Sequence, residues 1–471
     1  MYLSACVTFI LIGTALGKNN LNPGIQSKIM QKGLEYGRQL AVKIAEEKIE
    51  EFDLPEISGK EPVLGWLKYR IDGMRINSFG LPTSSIGLIP NIGVKFSIGK
   101  AHISISGNWH VKSGLIHDGG TFDLNINDLW AVFSVGVTLS SSHPMITDND
   151  CNARLENFDL NLHGGGSWFY KMFLGKVKDL IRNIVPQKLC SEFRNAVGTV
   201  ETFIQTKKVS WQLDKYVEFD YSLVGAPEIT TDFIEFPIKG ELYDVQHHTE
   251  APFTAQLFNL TSTTDQMLMV GLSEYTVNTG GFAYFVAGAL QFNITDDMIP
   301  KDLPFHLNTS SISILLPKVA KKYPNLLMKI VMGASKQPVV KFVPGKFTSN
   351  IFTTAEVFVI LPNNSLAELF LLGVTASVCG KVYISQGRVH GSVSLSSVDL
   401  VLEETKVGII PTQTFEATLK LGLQKVVIPR INAKLKKGFP IPKTEKISLI
   451  NPVLAIEQGL ILITSDIQYG N

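Results

Sequence analysis

Nine histidines and four cysteines are the side chains of this 471-residue chain best suited to metal or nucleophilic chemistry, and their spacing supports little of either. His247 and His248 are the adjacent pair. Neighbours on a strand face opposite sides, so the pair reads as part of a solvated polar linker rather than a metal site. His102, His110, His117 and His163 are scattered without ligand spacing. The chain has no G-x-S-x-G elbow, H-E-x-x-H, G-x-x-x-x-G-K-[ST] or G-x-G-x-x-G. Cys379, flanked by Ala376, Val378 and Gly380, reads as a buried free thiol with no neighbouring histidine to activate it. The chemistry expected is therefore binding rather than catalysis; an esterase acting on lipids would need a nucleophile motif that is missing.

Composition narrows the class. The chain carries 43 Lys+Arg against 42 Asp+Glu, so no global basic field favours nucleic acid, and with 45% hydrophobic residues it is too apolar for a disordered tail. Its length suggests two or more domains. Met1–Gly17 is an apolar run ending in Ala15-Leu16-Gly17, shorter than a membrane span, and reads as a secretory signal peptide, with a buried N-terminal strand as the alternative. In an oxidising compartment two of Cys151, Cys190 and Cys379 can pair. A Cys151–Cys190 bridge would staple a strand or loop to a helix, at about 3–4 kcal/mol.

The elements that must position any site follow from periodicity. From Ile25 to Phe52, apolar residues at Ile25, Ile29, Tyr36, Leu40, Ile44 and Phe52 predict an amphipathic helix, with Asn22-Pro23 at its start. Trp168–Ile204 predicts a longer one, kinked at Pro186. Between them Ile92–Leu139 alternates as antiparallel strands, which predicts an α+β fold with a curved meander wrapped on helices. In the second half, Leu315–Lys322 predicts a short helix, Phe342–Leu402 strands, and Thr412–Lys437 a terminal helix. Pro186 and Pro429 each follow two β-branched residues inside a helical pattern, as two diverged copies of one domain would place them. The boundaries expected are 18–243 and 259–471, with a polar linker at 244–258. Sequons at Asn259, Asn293, Asn308 and Asn363 are expected to carry glycans. Helices over a curved sheet leave room for an elongated apolar ligand, each buried methylene gaining about 0.8 kcal/mol.

Asn22-Pro23-Gly24-Ile25, Gln31-Lys32-Gly33-Leu34-Glu35-Tyr36, Ile89-Pro90-Asn91-Ile92-Gly93 and Pro317-Lys318-Val319-Ala320-Lys321-Lys322-Tyr323-Pro324-Asn325 resemble the secreted family of bactericidal/permeability-increasing protein and lipopolysaccharide-binding protein. So does Ile431-Asn432-Ala433-Lys434-Leu435-Lys436-Lys437-Gly438-Phe439-Pro440. The resemblance implies an elongated two-domain boomerang with a central sheet between two tubular lipid-binding barrels. It also implies that Cys151 and Cys190 form the family's disulfide, and that no cofactor is needed beyond bound phospholipid. Innate recognition of bacterial lipid or lipopolysaccharide is the family's usual role; lipid transfer between particles is the alternative. Peripheral membrane contact is implied and nucleic-acid binding is not.

One departure matters. Bactericidal members carry a basic N-terminal half, whereas Lys18–Val245 holds 24 basic against 27 acidic residues here, and His248–Asn471 holds 19 against 15. The segment Gly107–Asp118 matches the family's basic tip but keeps only Lys112, and Glu46–Asp53 is acidic, which weakens the lipopolysaccharide expectation. The tip keeps apolar Trp109, Val111, Leu115 and Ile116, which either enter a lipid surface or, for Trp109, pack on the hairpin itself. For the acyl chains, the residues expected to line the N-terminal tunnel are Ile29, Tyr36, Leu40 and Ile44 with Phe173, Leu180, Ile181 and Ile184.

Overall fold

The computed structural model describes residues 21–48, 54, 56–61, 67–260, 265–301, 306–408, 410, 412–440 and 447–470. The expected signal peptide with Cys6, the acidic residues 49–53 and Thr261 of the Asn259 sequon lie outside them. Six α-helices are named in chain order: α1 Gln31–Lys48, α2 Ser167–Gln205, α3 Glu274–Val286, α4 Pro317–Lys322, α5 Thr412–Gly422 and α6 Ile428–Lys437.

Each half of the chain builds a seven-stranded antiparallel sheet. The first centres on the long strands Leu67–Gly80, Gly93–Ser113 and Ile116–Ser140, the second on Lys346–Ile360, Leu366–Ser385 and Arg388–Thr405. Between them lies a six-stranded sheet drawn from both halves. Its strand Ile25–Met30 pairs with Phe233–Ile238 on one side and Leu268–Ser273 on the other. Ile447–Glu457 and Leu460–Tyr469 complete it.

The predicted first helix is thus divided: residues 25–30 form a strand and α1 begins at Gln31. Apolar residues at 25 and 29 suit a helix as well as a half-buried strand, and pairing on both sides satisfied the backbone as a strand. α2 covers the expected span, but its helical run continues through Pro186 without a break where a kink was expected. Near Pro429 the chain instead forms a π-helical turn, Leu423–Val427, which absorbs the misfit that proline imposes on the ladder.

α2 packs its Leu174, Val177, Ile181, Val185 and Leu189 on the N-terminal core, where Phe122, Leu124, Ile126, Leu129, Leu155 and Leu160 are buried. The Cys151–Cys190 disulfide fastens α2 to strand His143–Leu155, and Phe133 meets Phe193 beside it with ring centroids 4.7 Å apart. With the cysteines 39 positions apart in sequence, replacing both with serine is expected to cost about 3–4 kcal/mol, read as a lowered urea midpoint. Cys379 is free and half-buried rather than buried, with its Sγ 3.2 Å from Ser394 Oγ. Its strand turns it toward hydroxyls, not the apolar core that its neighbours in sequence suggested.

The segment 244–258 is more than a solvated linker. Ala255 is buried, Phe253 meets Tyr275 and Phe282 edge-on, and Asn22 Nδ2 donates to Ala255 O. Asp244, 1% exposed, accepts from the backbone amides of His247 (2.7 Å) and Thr249 (2.9 Å). Burial works to raise its carboxyl, but these hydrogen bonds prevail and hold it at about 2. A folded value below the unfolded one gives stability that is complete above pH ~4 and is lost as pH falls toward 2. Asp244→Asn is therefore expected to lower the urea midpoint at pH 7 and to shrink its fall between pH 4 and 2.

Candidate functional site

At the far end of the N-terminal sheet, strand alternation sorts side chains cleanly. Ile71, Trp109 and Val111 point into the core; Lys68, Arg70, His110 and Lys112 alternate with them and so point outward. The register then sets basic residues side by side. Lys60 lies opposite Lys68, Lys68 opposite Lys112, and Lys112 opposite His117, a row across four strands; Arg70 and His110 form the next row. All six residues are exposed. They flank a groove of about 510 Å3 lined by Lys68, Tyr69, Arg70, His110, Val111, Lys112, His117, Asp118 and Gly119.

The two rows differ in how they are balanced. Arg70 is held by Glu56 (3.1 Å) and Asp72 (2.8 Å), and His110 also faces Asp72 at 3.5 Å. Lys60, Lys68 and Lys112 have no ion pair among the described residues. Like charges directly opposite one another on a sheet destabilise it. An anion laid along the row would remove that cost.

This corrects the sequence-based view of the tip. Lys112 is not alone, because pairing brings Lys60, Lys68 and Arg70 from a separate segment. Trp109 is 7% exposed and its Nε1 donates to Thr121 O at 3.1 Å, so it is part of the core and does not stand at a headgroup level. Leu115, in the turn between the two tip strands, is fully exposed. The side chain of Ile116 lies outside the described residues. Asp118 ties the hairpin to α2: its carboxylate accepts from Gly119 N and, at 2.9 Å, from Gly166 N at the helix start. Gly165 (φ 78°) makes this approach possible, since a Cβ there would meet Asp118 Oδ1 at 2.7 Å.

The residues expected to line the tunnel do not form one set. Ile29 is half-buried in the central sheet, opposite Ile234 and Leu268. Tyr36 accepts the Tyr469 amide at its hydroxyl, also at the central sheet. Leu40 and Ile44 are half-buried on α1, which rests on strand Thr83–Ile89 rather than on the buried N-terminal cluster. Ile181 joins that cluster and Ile184 is half-buried. The side chains of Phe173 and Leu180 lie outside the described residues.

A larger groove, about 760 Å3, lies where α1 meets the sheet and is lined by Arg38, Thr83–Ser85, Trp130, Asn152 and Arg154 among others. Trp130 and Arg154 alternate with the residues facing α2, so they belong to the opposite face. Its arginines are already balanced, Arg38 by Glu35 and Arg154 by Glu156 at 2.9 Å. It offers no uncommitted cation, whereas the tip row does. Among the sequons, Asn259, Asn293 and Asn363 are exposed and Asn308 is half-buried in a bridge to Leu327. Among the described residues no group of His, Cys, Asp and Glu could hold a metal, and no helix is long and apolar enough to cross a membrane.

Two family models match the chain, the N-terminal domain of the LBP / BPI / CETP family over residues 33–200 and its C-terminal domain over 211–469. The chain belongs to the LBP / BPI / CETP family. Bactericidal permeability-increasing protein of Sebastes schlegelii is 37% identical over 454 residues, covering 96% of each chain. Lipopolysaccharide-binding protein of Bos taurus is 29% identical, covering 98% of this chain and 97% of the relative. A crystal structure of lipopolysaccharide binding protein superposes with a TM-score of 0.60 at 26% identity, over 96% of this chain and all of that one. LBP / BPI / CETP membership makes the chain a non-enzymatic protein, as the missing nucleophile motifs predict. It also accounts for the two halves with a sheet between them.

Proposed function

We propose that this protein recognises bacterial anionic lipid, lipopolysaccharide in particular, by laying its phosphate groups along the Lys60–Lys68–Lys112 row while Leu115 enters the lipid. The observation that carries this is the unbalanced basic row itself. The names of its relatives, bactericidal permeability-increasing and lipopolysaccharide-binding protein, agree with it. Each lysine near an anionic lipid surface contributes about 1 kcal/mol. The exposed aliphatic gives the apolar half of the contact.

Under the same proposal the protein works as a secreted molecule with peripheral membrane contact, and the interior of each domain holds phospholipid-like acyl chains. Transfer of phospholipid or neutral lipid between particles is the alternative, and nothing observed favours it over recognition. Native mass spectrometry of the secreted protein, with lipid extraction, tests the loading: two phospholipids per chain are expected, and a chain that emerges lipid-free and takes up none would refute it. Lipopolysaccharide binding is expected to weaken severalfold from low to physiological salt, because the tip lysines are exposed to screening.

A further inference from the structure

The two most exposed large apolar residues of the described chain are Leu115, fully exposed, and Ile314, 91% exposed; the next, Leu257, is 69% exposed. Leu115 marks the N-terminal tip. Ile314 marks the far end of the other domain, as the hydrogen bonds show. Strand Lys346–Ile360 starts beside the central sheet, where Gly345 N donates to Ile456 O, and ends where Ile360 N donates to Leu327 O. Fifteen residues of strand, up to roughly 50 Å of contour, separate these points. The loop bearing Ile314 is fastened at the distal point: Thr309 N donates to Leu326 O, Leu326 N to Thr309 Oγ1, and Ser310 Oγ to Asn325 Oδ1.

The local sequence could have hidden Ile314 and does not. Ile312, Leu315 and Leu316 around it, and Val319 after it, all pack on the C-terminal core. The amides of Leu315 and Leu316 both donate to Ile312 O, a tight turn that leaves Ile314 outside. α4 follows at once, burying Val319 and exposing Lys318, Lys321 and Lys322. None of these lysines has an ion pair among the described residues. The acids at this end are partly engaged elsewhere: Asp296 holds the Leu307 amide and faces His306, and Glu368 pairs with Lys406, while Asp297 is exposed. Leu327, 52% exposed, lies across the bridge from Asn308.

We infer that this distal cap is a second lipid-contacting surface, specific for anionic bilayers, in which Ile314 enters the acyl boundary and Lys318, Lys321 and Lys322 pair with lipid phosphates. Lysines without an ion pair, of which Lys322 lies over the Tyr323 ring at 5.1 Å, beside an aliphatic that the turn holds out of the core are the combination that a charged lipid surface satisfies and bulk water does not. A soluble polyanion would use the lysines and leave the isoleucine idle. The inference is independent of the tip row, since its residues lie on the other domain.

The test uses the full chain carrying Lys60→Glu, Lys68→Glu, Lys112→Glu and Leu115→Ser, so that the tip is silenced, and vesicles of phosphatidylglycerol and phosphatidylcholine. This variant is expected to keep measurable flotation with the vesicles. Adding Ile314→Ser, Lys318→Glu and Lys321→Glu is expected to lower the remaining affinity at least tenfold. These side chains are exposed, so folding is not at stake, and circular dichroism checks it. Separately, Ile314→Trp is expected to shift its emission to the blue with anionic vesicles and to be quenched by brominated acyl chains, but not with pure phosphatidylcholine. Loss of all flotation in the tip-silenced variant together with an unshifted Trp at 314 would overturn the inference. So would equal binding by the Ile314→Ser variant and its parent, which marks a plain polyanion site. A tip-silenced variant that binds lipopolysaccharide as well as the parent would sink the tip reading alone.

Discussion

Reversal of Lys60, Lys68 and Lys112 to glutamate is expected to weaken lipopolysaccharide binding by about 100-fold or more at low salt, with the urea midpoint unchanged or raised. Loss of three cations at about 1 kcal/mol each already amounts to roughly 3 kcal/mol, a factor of about 150, and the introduced carboxylates add repulsion. The stability half of the expectation separates ligand binding from folding. A row of like charges strains the sheet, so its removal should not harm the fold. Glutamine at the same positions should give an intermediate loss, and the dependence on salt should flatten in step. Titration of labelled lipopolysaccharide into each variant at two salt concentrations reads all of this. Retention of parental affinity by the glutamate variant would leave the row without a role.

Trp109→Ala is expected to cost 3–5 kcal/mol, the usual range for emptying a buried aromatic site. It removes a ring packed in the N-terminal core and leaves Thr121 O without its indole donor. Trp109→Phe keeps most of the volume and should lose about 1–2 kcal/mol for the hydrogen bond. Leu115→Ser, six positions beyond Trp109 in sequence yet wholly exposed, should leave the urea midpoint where it was and lower vesicle affinity severalfold. If instead Trp109→Phe abolished lipid binding at unchanged stability, the ring would have a contact role that its burial denies.

The contrast between these two residues shows what the sequence made legible. Periodicity located α2, the long strands and the terminal helices, because their patterns run for many residues and agree with their burial. It misjudged residues 25–30, where six residues suit either period and the neighbouring strands decide. The disulfide was legible only as an allowed pairing until the family resemblance singled it out. The tip was misread for a different reason: counting charge along one hairpin cannot see a partner strand. Lys68, Arg70 and Asp72 do alternate with Tyr69 and Ile71, so an outward polar face was visible, but only the register places Lys68 beside Lys112. In the same way, nothing in Ser311-Ile312-Ser313-Ile314 says which isoleucine is turned out; the hydrogen bonds to Ile312 O decide it.

The central sheet has a consequence for how the molecule is made. Ile25 pairs with Leu272, which in turn pairs with Ile461; Lys32 of α1 bonds Asp466 at 2.9 Å, and Tyr36 receives the Tyr469 amide. During synthesis both seven-stranded sheets can be complete while this middle one still lacks its partner for strand Leu268–Ser273. Loop closure over so long a stretch is slow, and an unpaired edge invites another chain. The nascent protein therefore passes through a stage with two finished ends and an open waist, and its final ten-residue strand is the bolt that closes it.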